Sequence, residues 1–220
     1  MSHFTSWSFS SLDTYRGCPL RAKLRYIDRI PDPGNKYSER GNEMHDALEQ
    51  CVVHGAPVPD WAAPFNDLLL QMQQSNPICE KMFMFDSNWK PTDDHKNAWL
   101  RIKQDLVVVA DDFGLTVDYK SGKKYGNEIK HLGQKMLYSI GAMIMWPGRK
   151  DYIGEMWYLD QKDLTSKTFD VPTLEKARAR LDAEVGRMFE DKYFRPRPTI
   201  GNCKYCPYGP RGTGHCPVGV

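Results

Sequence analysis

No run of apolar residues in this sequence comes near the ~20 needed to cross a bilayer, so no membrane span is expected. Met1 to Ser11 offers neither a basic opening nor an apolar stretch, so no secretory signal is read there, and a reducing, cytoplasmic setting is expected. Neither sign of charge is in surplus: 30 Lys and Arg stand against 28 Asp and Glu, a net +2. That balance excludes a strong global pull towards polyanions, so any nucleic-acid surface must be a local patch. Internal repeats and low-complexity tracts are absent. What is present, 40% hydrophobic and 26% charged residues over 220 positions, excludes wholesale disorder. The length suits one domain of ordinary to large size, or a domain with a small appendage.

The six cysteines lack the spacing of a short disulfide scaffold, and a chain of this length does not need one. Cys51 and Cys79 lie in apolar contexts and read as inert core residues. Cys203-Lys204-Tyr205-Cys206 has the spacing that sets two thiolates on one metal or cluster, and Cys18 and Cys216 would complete four ligands. A redox disulfide would want a strand–helix context that this tail lacks. Spacing alone leaves zinc and an iron–sulfur cluster open. Either would tie Cys18 to residues 203–216, closing a very long loop and pinning a tail that would otherwise fray.

Periodicity predicts a helix over 10–28 with Ser10 or Ser11 as N-cap, and a break at Pro31, Pro33 and Gly34. A second helix, 38–53, carries Met44, Leu48 and Val52 and ends at Gly55; a third covers 60–75. Strands are expected at 78–86, 98–110 and 114–120, then a helix at 126–146, strands at 151–159 and 165–171, and a helix from Pro172 to about 191. The tail, 195–220, is irregular. This pattern reads as an α/β fold, a central mixed sheet flanked by helices, with a separately stapled end.

Lys103 to Ala110 is apolar on both faces after its opening, and Leu115 to Tyr119 is partly so, as expected of central strands covered on both sides. Each holds a carboxylate, Asp105 and Asp118, that is costly to bury unless paired or metal-bound. If Asp111-Asp112 forms a two-residue turn, residue i faces residue 223 − i, and Asp105 lies opposite Asp118. A four-residue loop would set Asp105 opposite Lys120. Either register puts Asp105, Asp118 and Lys120 on one sheet face, whereas a three-residue loop would not. Opposed carboxylates repel, and the remedy is a nearby lysine or a divalent cation such as Mg²⁺ or Mn²⁺. Asp/Glu-x-Lys occurs five times, but only Asp118-Tyr119-Lys120 closes an apolar strand whose hairpin partner also carries an acid. A structural ion pair and a metal centre both remain open on these residues alone.

Asp105, a turn, then Val117-Asp118-Tyr119-Lys120-Ser121-Gly122-Lys123 resembles the active-site hairpin of the PD-(D/E)XK nuclease superfamily in its RecB-like branch, which includes CRISPR-associated RecB-like exonucleases. Gly41 to Glu49 resembles that branch's metal-ligating histidine helix. Gln134-Lys135-Met136-Leu137-Tyr138 resembles its Gln-x-x-x-Tyr motif. Ser8 to Pro19 resembles its N-terminal entry, and Cys18, Cys203, Cys206 and Cys216 resemble the ligands of its 4Fe–4S cluster. These pieces are in the family's order and span residues 8–217. Two features differ: Ile102-Lys103-Gln104 precede Asp105 where the family often has a glycine, and nine residues separate Cys206 from Cys216.

The resemblance implies a restriction-endonuclease-like core and a single nuclease domain, 1–220, with 1–30 and 195–220 forming the cluster subregion. It implies that His45, Asp105, Asp118 and the Tyr119 carbonyl bind Mg²⁺ or Mn²⁺, the imidazole favouring Mn²⁺, and that Lys120 orients the attacking water. Gln134 would reach Lys120 or a phosphate, and Tyr138 the DNA backbone. Glu49, one turn beyond His45, and Glu80 would support the site. The implied activity is metal-dependent exonuclease action on DNA, single-stranded or with accessible ends, in recombination, repair or CRISPR-type processing. Recombination or CRISPR proteins would be partners, no membrane is involved, and a phage-encoded protein would work in the host cytoplasm. The rivals are a non-catalytic iron–sulfur or zinc DNA-binding subunit and an iron–sulfur electron carrier. Phosphate contacts are expected from Arg16, Arg21, Lys23, Arg25 and Arg29, from Lys120, Lys123, Lys124 and Lys130, and from Arg195, Arg197 and Lys204. Trp7, Phe9, Tyr15, Tyr125 or Tyr205 would stack on unpaired bases. His215 is a substitute ligand beside Cys216, and His54, His95 and His131 have no assigned role.

Overall fold

The apolar strands expected at the centre of the chain form a five-stranded sheet in the computed structural model, which describes residues 3–32 and 36–219. The predicted break at Pro33 and Gly34 lies outside the described residues. In spatial order the strands are β1 (Ile78–Phe85), β2 (Leu100–Val109), β3 (Phe113–Lys120), β4 (Asp151–Tyr158) and β5 (Asp163–Phe169). The helices are α1 (Phe9–Gly17), α2 (Pro19–Ala22), α3 (Lys36–His54), α4 (Asn66–Gln74), α5 (Glu128–Met145), α6 (Val171–Glu190) and α7 (Ile200–Cys203). The chain forms two compact units, Asn35–Arg178 and Met1–Gly34 with Ala179–Val220, and α6 runs across the division. No helix among the described residues is long and apolar enough to cross a membrane.

In the Asn35–Arg178 unit every strand pair is antiparallel except β3–β4, which is parallel and connected through α5. A parallel pair needs such a long crossover. Met44, Leu48 and Val52, one face of α3, pack with Phe65, Leu69 and Met72 against Leu106, Val108, Leu115 and Val117 of the sheet. Phe65 stacks on Trp157 at 5.2 Å between ring centroids. The third predicted helix begins as a 3₁₀ segment, Asp60–Phe65, because Pro64 has no N–H to donate.

The hairpin takes the two-residue turn. Val109 faces Gly114 and Leu106 faces Val117, and Ala110 N–H donates to Phe113 O at 2.9 Å. The ladder stops there, one step short of Asp105 and Asp118. On the other side Cys79 pairs with Leu106 and Lys81 with Gln104, which leaves Glu80 opposite Asp105 without a ladder pair. Glu80 has φ +48°, a left-handed conformation that a side chain with a Cβ adopts at some cost. The sheet is therefore interrupted at one level, where three acids fall on three adjacent strands.

Close helix–sheet approach holds the neighbouring face. A Cβ on Gly154 of β4 would stand 2.8 Å from Lys135 Cβ and 3.2 Å from Lys135 O on α5. Gly154→Ala is expected to destabilise the protein by about 1–3 kcal/mol in urea unfolding, since the clash is with backbone that cannot swing away.

In the terminal unit the sequence predicts one helix over 10–28, but the chain breaks at Cys18, which is extended at φ −155°, ψ 110°. Pro19 causes this, because its ring disfavours the helical region for the residue before it. The N-cap is Ser8, not Ser10 or Ser11: Ser8 accepts from Ser11 N–H, and Ser11 Oγ accepts from Ser8 N–H at 2.9 Å. Tyr15 donates to Asp191 at 2.8 Å, Arg16 grips Glu184 through two hydrogen bonds of 2.7 and 2.6 Å, and Tyr208 donates to Ile30 O. These contacts hold the two ends of the chain together.

Candidate active site

His45 comes from the middle of α3, where Met44 and Leu48 anchor the helix in the core and leave the imidazole half-buried over the gap in the sheet. Its Nε2 lies 3.2 Å from Tyr119 O. Its Nδ1 lies 3.4 Å from Asp105 Oδ1 and 3.6 Å from Glu80 Oε1. Asp105 Oδ2 accepts the Tyr119 N–H at 2.7 Å, which replaces the missing ladder bond and fixes the carboxylate. Among the described residues, His45, Glu80 and Asp105 form a metal-type group whose ligand atoms all lie within 4.8 Å of one another.

The donor set suits a divalent cation. Carboxylate oxygens with one imidazole match Mg²⁺ or Mn²⁺ chemistry. Glu80 Oε2 pairs with Lys103 Nζ at 2.5 Å, but Glu80 Oε1 is buried and accepts no hydrogen bond. Such an atom is expensive in a protein interior unless an ion satisfies it. His45 reports the same demand for positive charge. Burial alone would lower its pKa, yet Asp105 beside it, helped by Asp118 and Glu80, holds it above the ordinary histidine value.

Asp118 and Lys120 form the second part of the site. Lys120 Nζ lies 2.5 Å from Asp118 Oδ2, and Gln134 on α5 donates to Asp118 Oδ1 at 2.6 Å. Burial pushes Asp118 up to about 6, against the pull of Lys120, and the charge of Asp105 adds to the rise. Gln134 also donates to the Tyr138 hydroxyl at 2.9 Å. Tyr138 is buried, and burial with the nearby acid charges keeps its hydroxyl protonated.

The expected residues thus meet in one place, with some different partners. Asp118 is held by Lys120 and Gln134 and lies outside the tight group, where Glu80 stands instead. Gln134 faces Asp118 rather than Lys120. Tyr138 does not face solvent. No hydrogen bond joins Glu49 to His45; its charge falls on Cys79, whose thiol is pushed up to about 11 by burial first and by Glu49, Glu80 and Asp105 after it. Glu80's part in the group depends on a backbone turn that no spacing rule signals.

In the terminal unit Cys18, Cys203, Cys206 and Cys216 line one pocket, with Arg21, Pro196 and Tyr208 among its other walls. Arg197 N–H donates to Cys18 Sγ at 3.4 Å. Among the described residues no three of these sulfurs come within 4.8 Å of one another. His215 bonds Thr213 and is not on the pocket wall.

Several expected phosphate contacts are occupied internally: Arg16 by Glu184, Lys23 by Asp28, Arg25 by Asp32 and Lys124 by Asp163. Trp7 and Phe9 are buried core residues and so cannot stack on bases, whereas Tyr125 and Tyr205 are exposed.

An interrupted mixed sheet with Glu80, Asp105 and Asp118 at one level, His45 of α3 over them and Lys120 two residues beyond Asp118 defines an α/β protein whose polar centre suits a divalent cation. The chain belongs to the PD-(D/E)XK nuclease superfamily, whose sequence profile matches residues 6–89 and 80–211. No curated protein matches it. Among solved structures it is similar to the protein SSO0001, at 12% identity and a TM-score of 0.46 over 100% of this chain and 90% of that one. It is also similar to a candidate exonuclease from Eubacterium rectale, at 10% identity and a TM-score of 0.50 over 84% of this chain and 80% of that one. The second likeness is one of fold.

Proposed function

We propose that this nuclease is a divalent-cation-dependent deoxyribonuclease that acts on DNA with accessible ends, in the RecB-like branch, and that its terminal unit carries a 4Fe–4S cluster. The observation that carries the activity is the convergence of His45, Glu80 and Asp105 within 4.8 Å beside the Asp118–Lys120 pair. His45, Glu80 and Asp105, with the Tyr119 carbonyl, would hold Mg²⁺ or Mn²⁺. When bound, the cation acidifies a water and offsets charge on the phosphate. Asp105, tied to Tyr119 N–H, fixes the site against the β3 backbone. Gln134 fixes Asp118, and Asp118 aims the Lys120 ammonium. Lys120 orients the attacking water and stabilises the negative charge that builds on the scissile phosphate.

Incubating the protein with end-labelled linear DNA, with Mn²⁺ or Mg²⁺ and with or without EDTA, tests this reading. The expected result is metal-dependent loss of label as mononucleotides or short fragments. DNA binding without turnover would instead make it a non-catalytic subunit.

The four pocket thiols support the cluster. Four such thiolates suit either zinc or an iron–sulfur cluster, and the resemblance of Cys18, Cys203, Cys206 and Cys216 to the family's cluster ligands favours iron–sulfur. Purified protein is expected to contain iron and acid-labile sulfide rather than zinc. Cys203→Ser is expected to remove the visible absorbance and to make the 195–220 tail sensitive to protease, because the tie to Cys18 is lost.

A further inference from the structure

Along α5 three buried polar side chains, His131, Gln134 and Tyr138, fall on one helix face at i, i+3 and i+7. Gln134 serves Asp118, and Tyr138 accepts from Gln134. His131 has no part in that arrangement, and burying an imidazole carries a desolvation cost that an apolar ring of similar size does not.

Its partner says what it does. His131 Nδ1 lies 2.8 Å from the Tyr158 hydroxyl, and the two rings stand 5.5 Å apart between centroids with a tilt of 40°. Tyr158 is 1% exposed and ends β4. Its partner on the neighbouring parallel strand is Lys120, the last residue of β3. Neighbouring strands lie about 4.8 Å apart, and paired residues project from the same face. Both side chains point towards α5: Tyr158 reaches His131, and Lys120 reaches Asp118, which Gln134 holds. The Tyr158 ring therefore stands beside the stem of Lys120. Lys124, tied to Asp163 at 2.6 Å, lies 5.9 Å from the centroid of the same ring.

The His131 imidazole is neutral at pH 7. Burial first, and then Lys120, Lys130 and Lys135, push its pKa down to about 4, with Glu128 opposing. A neutral ring holds the Tyr158 hydroxyl without repelling the nearby Lys120 ammonium. Helix α5 thus backs both members of the Asp118–Lys120 pair, one by a direct bond from Gln134 and the other through His131 and Tyr158.

Resting on the nuclease reading above, we infer that His131 and Tyr158 are positioning residues: their hydrogen bond fixes the phenol ring as a wall against the Lys120 stem, and that wall keeps the ammonium aimed at the attacking water.

Tyr158→Phe removes one oxygen and keeps the ring; His131→Phe removes the imidazole bond and keeps the bulk. Each is expected to slow single-turnover cleavage with Mn²⁺ by about 10- to 100-fold, the effect of a misplacement of about 1 Å. DNA affinity, read in EDTA, should change little. His131→Asn, whose amide reaches towards Tyr158 from the place of Nδ1, should recover most of the rate. The double variant His131→Phe/Tyr158→Phe should melt no lower than wild type, because both polar partners leave together, yet should cleave as slowly as either single variant. In crystals of Tyr158→Phe grown in EDTA, Lys120 Nζ should have left its place 2.5 Å from Asp118 Oδ2. A cleavage rate within about threefold of wild type in either single variant overturns the inference. So does a double variant that regains the wild-type rate, which would make the pair a core contact only. A Lys120 side chain unmoved in Tyr158→Phe overturns it as well. The crystal needs no turnover, so failure of the nuclease reading shows separately, as absent cleavage by wild-type protein with Mn²⁺.

Discussion

Asp105→Asn is expected to lower DNA cleavage by roughly 10³-fold or more while the protein stays folded, because the lost interactions supply several kcal/mol of transition-state stabilisation. Asp105 is the centre of the site. One oxygen accepts from Tyr119 N–H at 2.7 Å, and the other faces His45 at 3.4 Å. Asparagine can keep the first contact through its carbonyl oxygen, so β2 and β3 hold their places. It cannot supply the negative charge that the cation requires. Single-turnover kinetics beside a thermal melt separate the two effects. Activity within tenfold of wild type would remove Asp105 from the chemistry.

Asp118→Asn is expected to stabilise the metal-free protein at neutral pH and to abolish cleavage. Burial holds the folded-state pKa of Asp118 at about 6, against an ordinary 3.8. Between these values the folded chain keeps its proton and the unfolded chain has lost it. Stability from this group is therefore complete below about 3.8 and falls as pH rises through about 6. Asparagine carries no such penalty. In EDTA the melting temperature of Asp118→Asn should match wild type near pH 4 and exceed it by a few degrees above pH 7. Activity should be lost at every pH, because Lys120 loses the carboxylate 2.5 Å away that aims it. A variant less stable than wild type at pH 7.5 in EDTA would show that Asp118 is a structural ion pair.

The two predictions bear unequally on what sequence alone can say. That Asp105, Asp118 and Lys120 share one sheet face was legible in either register; whether Asp105 faced Asp118 or Lys120 was left open, and the two-residue turn selects Asp118. His45 was legible through a motif on a helix whose apolar face, Met44, Leu48 and Val52, is plain. Glu80 was not. Its entry into the ligand group depends on a positive φ in mid-strand, and a glutamate between apolar neighbours looks like any half-exposed strand residue. Gln134 and Tyr138 were legible as a pair on one helix face. Their partner depends on how closely α5 approaches the sheet, which long-range packing decides. The break at Cys18 was written in Pro19. The subregion expected from the resemblance, 1–30 with 195–220, falls inside the terminal unit, Met1–Gly34 with Ala179–Val220, which also takes in the C-terminal part of α6.

The most direct measurement is the anomalous difference map of a crystal soaked in Mn²⁺. The expected result is a peak within coordination distance of His45 Nε2 or Nδ1, Asp105 and Glu80, next to Tyr119 O, and its loss in Asp105→Asn. Manganese absent from that point at saturating concentration, in crystals of protein that binds DNA, would contradict a cation-dependent nuclease centre here.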